Sequence, residues 1–245
     1  MEEERLTKRE KRELAKQEKN EERERQKTFS KIKKLMLLLI PLFLVVWIGY
    51  KSYRFLTTPT PDVLSESVET RDSDWVKGKS EAPATIIEYG DFECPACADF
   101  YAIVKKLEQD YPDDLRVVFR HYPLITIHKK AYDAARATEA AGVQGKFWEM
   151  HDILFEKQTD WANDSNHRDK FVDYVKQLGL DEEKFKNDFE SKDLETKINT
   201  DLASGNSLAV NATPTFYLNG KKVQPRSYDE FKKLVEDQVR GYELK

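Results

Sequence analysis

The chain of 245 residues has two cysteines, and they form a single C-x-x-C pair, Cys94 and Cys97. The run from Ala84 to Ile87 before the pair is apolar and largely β-branched, which predicts a buried strand. After the pair, apolar residues recur at steps of three and four residues, which predicts a helix that reaches about Tyr111. The two cysteines therefore lie where a strand ends and a helix begins.

This junction makes the two thiols unequal. Cys94 lies at the helix N-terminus, where free backbone N–H groups and the helix dipole favour an anion. Cys97 lies one turn later on the inward face, and Pro95 suits the first turn because its missing N–H costs little there. We expect an exposed, acidic Cys94 and a sheltered Cys97, an asymmetry that thiol–disulfide exchange requires. A plain structural disulfide is the alternative, and it gains little because the loop that it closes is short.

Charge is distributed unevenly along the chain. Residues 1–34 hold 13 Lys and Arg against 9 Asp and Glu, a net charge of +4, which leaves −8 for the rest because the whole chain carries −4. An acidic main part argues against nucleic acid as a partner, since phosphate binding needs a basic surface. The charged segment 1–34 cannot bury apolar surface, so we interpret it as a cytoplasmic head.

An apolar segment follows the charged head. Residues 35–50 carry no charge, and flanking lysines and aromatic residues extend them toward the roughly 20 residues that span a bilayer. We therefore predict a transmembrane signal anchor at residues 35–55. A cleaved signal peptide is the alternative, but the bulky residues from Trp47 to Tyr53 offer no small-x-small cleavage site.

Basic residues on the two sides of this anchor predict its orientation. Residues 15–34 contain eight Lys or Arg, whereas residues 51–70 contain two, so the positive-inside rule places the N-terminus in the cytoplasm. We expect a single-pass protein of the cell membrane whose remaining residues are extracytoplasmic, on the oxidising side where disulfides persist. Residues 56–73, rich in Pro, Ser, Thr and acidic residues, predict a stalk, and residues 74–245 predict one folded domain.

Within residues 74–245 the pattern predicts the order β, β-α-β, a helical block at about 125–208, and β-β-α. The β-α-β unit requires a parallel strand pair with a right-handed crossover, and Asn219-Gly220 predicts a two-residue hairpin turn. Strands are predicted at Asp74–Gly78, Ala84–Tyr89, Leu115–Tyr122, Thr215–Leu218 and Lys221–Gln224. After the helix that begins at the cysteines, helices are predicted at His128–Ala141, Phe147–Gln158, Phe171–Leu178, Glu182–Ser191, Leu194–Leu208 and Tyr228–Gly241.

Three segments, in this order and spacing, resemble the thioredoxin fold and, more narrowly, the DsbA-like thiol:disulfide oxidoreductases in their membrane-anchored form. They are EYGDFECPAC at 88–97, FRHYPL at 119–124 and ATPTFYLNG at 212–220. The match covers about residues 74–242. The fold class that it implies is α/β, a thioredoxin fold with a helical insertion, preceded by one N-terminal transmembrane helix.

The resemblance also implies roles for individual residues. Cys94 would be the attacked cysteine and Cys97 the resolving one. Pro214 would be a cis-proline beside the pair, and the backbone of Thr213 before it would pair with an extended substrate peptide. Glu88 lies where the family carries a buried acid that could relay the proton of Cys97. The alternative for Glu88 is an acid with a structural partner and no relay.

Two features near the pair oppose a strongly acidic Cys94. The dipeptide between the cysteines is Pro95-Ala96 instead of the Pro-His of the best-known oxidases, and a histidine there would add stabilisation of the thiolate. Asp91 and Glu93 place negative charge nearby, which disfavours the thiolate.

The implied function is disulfide exchange with unfolded or reduced secreted proteins, as a dithiol oxidase that a membrane quinone-linked partner recharges. The redox pair would carry the electrons itself, with no cofactor and no metal. Two alternatives stay open: a reductase or isomerase of the same fold, and a thiolate carrier of Cu(I), since soft cysteine pairs bind that ion. The four histidines show no ligand spacing, and His121 ends a strand that is not obviously near the pair.

Overall fold

The computed structural model describes residues 47, 49, 50 and 68–244 of the chain. The chain divides into two units, Met1–Asp62 and Val63–Lys245, and of the first unit three helical residues are described. No helix in the described part is long and apolar enough to cross a membrane. The expected head at 1–34 lies outside the described residues, as does the anchor at 35–55 apart from those three residues and the stalk up to residue 67.

A five-stranded sheet and the helices that pack against it make up the described part of the second unit. The strands are β1 (Trp75–Lys77), β2 (Ala84–Gly90), β3 (Leu115–His121), β4 (Thr215–Leu218) and β5 (Lys221–Val223). The helices in residues 68–244 are α1 (Pro95–Asp110), α2 (Ala131–Gly142), α3 (Phe147–Glu156), α4 (Gln158–Ala162), α5 (His167–Gln177), α6 (Glu182–Phe189), α7 (Lys192–Ser207) and α8 (Tyr228–Glu243).

The sheet has the strand order β1-β3-β2-β4-β5. Strands β2 and β3 are parallel, with Glu88 opposite Phe119 and Gly90 opposite His121, which confirms the predicted β-α-β unit. The other neighbouring pairs are antiparallel. The result is a thioredoxin-like α/β fold in which α2 to α7 form the helical insertion between β3 and β4. Because β2 is central, its carboxyl end delivers the cysteine pair to the middle of one sheet edge.

Alternate side chains of β2 pack on opposite faces of the sheet, as the twofold period of a strand requires. Ile86 lies in a buried cluster with Leu107 of α1 and Phe231 of α8. Tyr89 lies in a second cluster, on whose edge Leu202 of α7 packs. The strand is therefore buried on both sides, which fixes the position of the residues that follow it.

Three helix predictions in the insertion are wrong in their bounds. The helix predicted as Phe171–Leu178 is α5, which begins at His167, and the prediction missed its polar first turn because that turn carries no apolar signal. Helix α2 begins at Ala131 and not at His128, because residues 124–128 form turns and the ring of His128 is hydrogen-bonded to Asp91 at 2.8 Å. The helix predicted as Phe147–Gln158 ends at Glu156, and Gln158 begins the separate helix α4. The Gln158 side chain contacts the loop between β2 and α1, residues 91–94, which we call the cysteine loop. The apolar periodicity of a helix cannot show such a contact.

Candidate active site

The cysteine pair lies at the junction that the sequence predicts. Strand β2 ends at Gly90, and α1 begins at Pro95 with Cys94 as its N-cap residue in an extended conformation (φ −75°, ψ 121°). The backbone N–H of Cys97 donates to the Cys94 carbonyl at 3.1 Å, which closes the first turn. Both thiols are free. The Cys94 sulfur therefore faces the N–H groups of the first helical turn.

Cys94 is less exposed than the sequence suggests, since 7% of the residue is accessible to solvent. Cys94 belongs to a buried cluster with Phe92 and Cys97, and the Thr213 carbonyl accepts a hydrogen bond from its thiol at 3.4 Å across 119 residues of sequence. The expected acidity is present. Hydrogen bonding with Cys97 is the main effect that lowers the pKa of the Cys94 thiol to about 5, and it acts against burial, with help from the backbone N–H groups of Cys97 and Ala96.

Cys97 has the opposite character. It is fully buried, and burial, the hydrogen bond with Cys94 and the negative charge of Glu88 raise its pKa well above the ordinary range of a thiol. The backbone N–H of Asp91 points at its sulfur at 3.5 Å. At neutral pH the reduced pair thus holds one proton, on Cys97, and one negative charge, on Cys94.

Glu88 lies beneath the pair on β2 and is 3% exposed. Its Oε1 atom has no hydrogen-bond partner among the described residues. Burial raises the pKa of its carboxyl to about 8, and the charges of Cys94 and Glu108 act in the same direction. A carboxyl group of this kind can accept or give a proton near neutral pH.

A small cavity leads from Glu88 toward the surface. Lys77 and Glu108, which form an ion pair at 2.8 Å, line it together with Lys105 and Asp152. The side chains of Lys105 and Asp152 are 35% and 25% exposed. Charged groups thus line the space beside the buried carboxyl group, and two of them are partly exposed to solvent.

The two carboxylates that were expected to oppose the thiolate have donors of their own. The Asp91 carboxylate accepts hydrogen bonds from the backbone N–H groups of Glu93 and Leu124 and is bonded to the His128 ring, each at 2.8 Å. The Glu93 carboxylate accepts the backbone N–H of Lys130 at 2.6 Å. Through these hydrogen bonds, the two carboxylates hold the cysteine loop to residues 124–130.

The structure also places Thr213 and Pro214 against the pair. The Thr213–Pro214 peptide bond is cis, as the resemblance implies. Beside it lies a groove of about 200 Å³, lined by Phe100 and Phe216 and by Pro214 itself. The predicted nucleophile and a backbone carbonyl therefore meet at one end of the sheet, with a groove of mixed polar and apolar lining beside Pro214.

Gln158 is a residue of this site that the sequence analysis did not predict. Its amide Nε2 donates to the carbonyl oxygens of Phe92 at 2.7 Å and Cys94 at 2.9 Å. A lone glutamine at the end of a predicted helix carries no signal for such a contact, because the two partners are 66 and 64 residues away.

The histidines pair with carboxylates in the described part of the chain. The pairs, at 2.8 to 3.0 Å, are His121 with Glu139, His128 with Asp91, His151 with Asp152, and His167 with Asp133. No group of three or more His, Cys, Asp or Glu residues that could hold a metal ion occurs among the described residues. His121 contacts the ring of Phe92 in the cysteine loop, with a centroid distance of 6.0 Å, so it lies closer to the site than expected.

A sequence model of the family described as Thioredoxin matches residues 70–237. Among solved structures, oxidised BdbD from Bacillus subtilis has a TM-score of 0.64 and 27% identity, over 71% of this chain and 97% of that one. A thioredoxin-like oxidoreductase from Silicibacter pomeroyi DSS-3 has a TM-score of 0.59 and 25% identity, over 75% of this chain and 99% of that one.

Curated relatives carry a different name. A Na(+)/H(+) antiporter NhaA 1 from Mycolicibacterium gilvum is 39% identical over 153 residues, which is 62% of this chain and 24% of that protein. The chain thus spans about a quarter of the length of the curated relatives that it matches.

Proposed function

Because this chain belongs to the thioredoxin family, in a DsbA-like form, we propose that it is a thiol:disulfide oxidoreductase that acts through Cys94 and Cys97. One observation carries the proposal. The two thiols have pKa values displaced in opposite directions, at a helix N-terminus where the Thr213 carbonyl and Pro214 adjoin the outer sulfur. A structural disulfide has no need of this asymmetry.

The oxidised enzyme would act on a substrate with two thiols. The first substrate thiolate attacks the Cys94 sulfur, a substrate–Cys94 disulfide forms, and the Cys94–Cys97 bond breaks with Cys97 leaving as a thiolate. The second substrate thiolate then attacks the substrate sulfur of this mixed disulfide, and Cys94 leaves as a thiolate. Two electrons pass to the enzyme, and the substrate gains one disulfide.

Glu88 would handle the proton of Cys97 in this sequence. Cys97 is a strong base as a thiolate, so it takes up a proton as it leaves, and a carboxyl group with a pKa of about 8 can supply it at neutral pH. In the reverse step the Glu88 carboxylate accepts the proton from the Cys97 thiol. The charged groups around Lys77 and Glu108 return that proton to the solvent.

Dithiol oxidation is the direction that we favour. A stabilised Cys94 thiolate is a good leaving group and stabilises the reduced enzyme, and both effects favour oxidation of the substrate. Thr213 would present its backbone to an extended peptide, with the groove at Pro214 receiving an apolar side chain of the substrate. Pro95 and Ala96 would form the exposed edge of the active-site motif beside it.

The setting follows from the N-terminal sequence. We place the domain outside the cytoplasmic membrane, held by the anchor at 35–55, where reduced or unfolded secreted proteins are its substrates. A membrane quinone-linked protein would accept the two electrons and restore the Cys94–Cys97 disulfide. Since both proteins would be held in the same membrane, this partner would lie close to the enzyme that it reoxidises.

The experiment uses the purified full chain in detergent. The oxidised protein should oxidise a fluorescent peptide with two cysteines, and Cys94→Ser should be inactive. Cys97→Ser should form a mixed disulfide with the disulfide form of the same peptide, because its Cys94 thiolate attacks that bond and no Cys97 thiol displaces the peptide. If the reduced protein reduces a disulfide peptide faster than the oxidised protein oxidises the dithiol peptide, the chain is a reductase or an isomerase. Stoichiometric Cu(I) binding lost in Cys94→Ser, without peptide oxidation, would support the metal carrier and overturn the proposal.

A further inference from the structure

Gln158 connects the helical insertion to the cysteine loop. It is the first residue of α4 and is 8% exposed. Its two N–H groups are directed at two carbonyl oxygens of the loop, those of Phe92 and Cys94. One of these carbonyls thus belongs to the residue whose sulfur is the proposed site of attack.

The loop that Gln158 holds is packed on its other side. The ring of Phe92 contacts Phe119 and Phe155, with centroid distances of 5.0 and 4.8 Å. The Cys94 carbonyl also accepts the backbone N–H groups of Cys97 and Ala98, at 3.1 and 3.3 Å. The amide of Gln158 is therefore a third hydrogen-bond donor to the Cys94 carbonyl, at the N-terminus of α1.

Two further contacts hold helix α4 in the position from which Gln158 reaches the loop. Trp161 is fully buried, and its indole N–H donates to the Leu154 carbonyl at 2.8 Å. Lys130 forms a second link, since its side chain donates to the Ala162 carbonyl while its backbone N–H donates to Glu93 in the cysteine loop. The insertion and the loop are thus joined at two points.

We propose that Gln158 is a positioning residue through which the helical insertion sets the reactivity of Cys94. This inference rests on the proposed function only for its biological meaning, because the reactivity of a thiol is measurable without a substrate. Gln158 touches no reacting atom. It acts through the backbone of residues 92–94, which it holds so that the N–H groups of Ala96 and Cys97 face the Cys94 sulfur.

The physical argument concerns what happens without the amide. The Phe92 and Cys94 carbonyls would lose a buried donor, and the loop would turn toward other donors to satisfy them. The N–H groups of the first helical turn would then be less well aligned with the sulfur, so the thiolate would lose stabilisation. Because the thiolate stabilises the reduced form, the oxidised form of the pair would gain population.

The test compares Gln158→Met with Gln144→Met in the full chain. Gln144 is a matched control, because its amide also exchanges two hydrogen bonds with one backbone position, Asp181, but far along the insertion from the cysteines. In Gln158→Met we expect the equilibrium with glutathione to shift about three- to tenfold toward the Cys94–Cys97 disulfide. We also expect the titration of Cys94, followed by thiolate absorbance, to move to higher pH. Gln144→Met should leave both unchanged.

A second measurement on the unaltered chain covers the case in which Gln158→Met does not fold. The side-chain ¹⁵N resonance of Gln158 should shift as Cys94 titrates in the reduced chain, whereas that of Gln144 should not. An unshifted Gln158 resonance, or a folded Gln158→Met with the wild-type glutathione equilibrium, overturns the inference. Loss of peptide oxidation in the wild-type chain would instead count against the proposed function, and the Cys94 titration would still decide the role of Gln158.

Discussion

The acidity of Cys94 comes from backbone and thiol donors and not from a histidine between the cysteines. Hydrogen bonding with Cys97 has the largest effect, and Ala96 contributes through its backbone N–H although it has no polar side chain. The pKa of the thiol is therefore about 5 with the Pro95-Ala96 dipeptide in place. At pH 7 this corresponds to a roughly hundredfold excess of thiolate over thiol.

Glu88→Gln tests the role of the buried carboxyl group. Since burial raises the pKa of Glu88 to about 8, the folded protein holds this proton more tightly than the unfolded chain does. Stability is therefore lost as the pH rises from about 4.5 toward 8, and the loss at pH 7 is about 3 kcal/mol. We expect the variant to be more stable than the wild type at pH 7 by that amount, equally stable near pH 4, and slower in peptide oxidation.

Urea unfolding of the reduced proteins at pH 4, 5.5 and 7 measures the stability, and the fluorescent peptide measures the rate. Glu183→Gln serves as the control, since the Glu183 side chain is 82% exposed and should change neither quantity. Wild-type stability at each pH together with a wild-type rate in Glu88→Gln would remove this carboxyl group from the mechanism.

Sequence alone could place the redox residues but not their environment. Cys94 and Cys97 follow from local signals, a strand followed by an amphipathic helix with Pro95 at its start. The Cys94 thiol is hydrogen-bonded to Thr213, and the loop before it is held by Gln158 and by the pair Asp91–His128. These contacts join polar residues that are far apart in sequence, and such contacts leave no periodicity to detect.

At the scale of the elements, α7 packs on the sheet at a glycine. A Cβ atom on Gly205 would lie 2.6 Å from ring atoms of Tyr122 and 3.2 Å from Tyr89. The Tyr122 ring cannot easily move, because its hydroxyl lies within hydrogen-bond distance of the Asn206 side chain and of the Val210 carbonyl, at 2.7 and 2.6 Å. Gly205 is therefore required for the close approach of helix and strand.

Gly205→Ala should lower the free energy of unfolding by about 1–3 kcal/mol through this clash. Gly241→Ala in α8 is the matched control, because no heavy atom lies within 4 Å of a Cβ there; it should be neutral or stabilising by up to about 1 kcal/mol. Urea denaturation of both variants checks the prediction, and equal midpoints would show that α7 has room to shift.

A buried ion pair ties the segment before β1 to the sheet. Arg120 of β3 is 1% exposed and donates to both oxygens of Asp74, at 3.1 and 2.7 Å, and to the Tyr89 hydroxyl at 2.8 Å. Burial alone would raise the pKa of Asp74, but hydrogen bonds and charge from Arg120 and Arg71 hold it below its usual value. The carboxylate therefore depends on its arginine partners.

Arg120→Met should destabilise the domain by about 3–5 kcal/mol at pH 7, because it leaves a buried carboxylate short of one partner. The loss should be smaller at pH 3, where protonation of Asp74 removes the charge. The control is Arg240→Met, since Arg240 and its partner Asp237 are 63% and 50% exposed and such pairs contribute less than about 1 kcal/mol. Chemical denaturation at both pH values would contradict the prediction if the two variants behaved alike.

The order of the elements was predictable where the signals are local. Apolar runs locate β2 and β3, and Asn219-Gly220 locates the hairpin of β4 and β5, where both residues have positive φ. The break between α3 and α4 at Lys157 was not predictable from the sequence, since the pattern from Phe147 to Gln158 is that of one continuous helix. The break is seen only in the structure, where Gln158 and Trp161 form their own contacts.

At the scale of the whole molecule, the domain with the cysteine pair follows an N-terminal sequence of three segments. These are the charged segment 1–34, the apolar segment 35–55 and the polar segment 56–73. The family match and the solved relatives concern residues 70–237 and the fold. The proposal of an anchored enzyme outside the cytoplasm therefore depends on the sequence pattern of residues 1–55 and is tested in cells.

Thiol trapping in cells tests the working direction and the compartment together. If the chain is an extracytoplasmic oxidase, acid quenching and alkylation should find Cys94 and Cys97 mostly as a disulfide, in a protein that sediments with membranes. Deleting residues 1–55 should release the domain from the membrane and leave the pair reduced in the cytoplasm. A mostly reduced pair in the full-length membrane protein would instead indicate a reductase or an isomerase.

The pH dependence of alkylation tests the acidity of Cys94 most directly. In the reduced full chain, the rate with iodoacetamide should be half-maximal near pH 5 and level above about pH 7, and Cys94→Ser should remove it because Cys97 is fully buried. A half-maximal rate at about pH 8.5, the value of a free thiol, would contradict the account of a thiolate stabilised at the start of the redox helix.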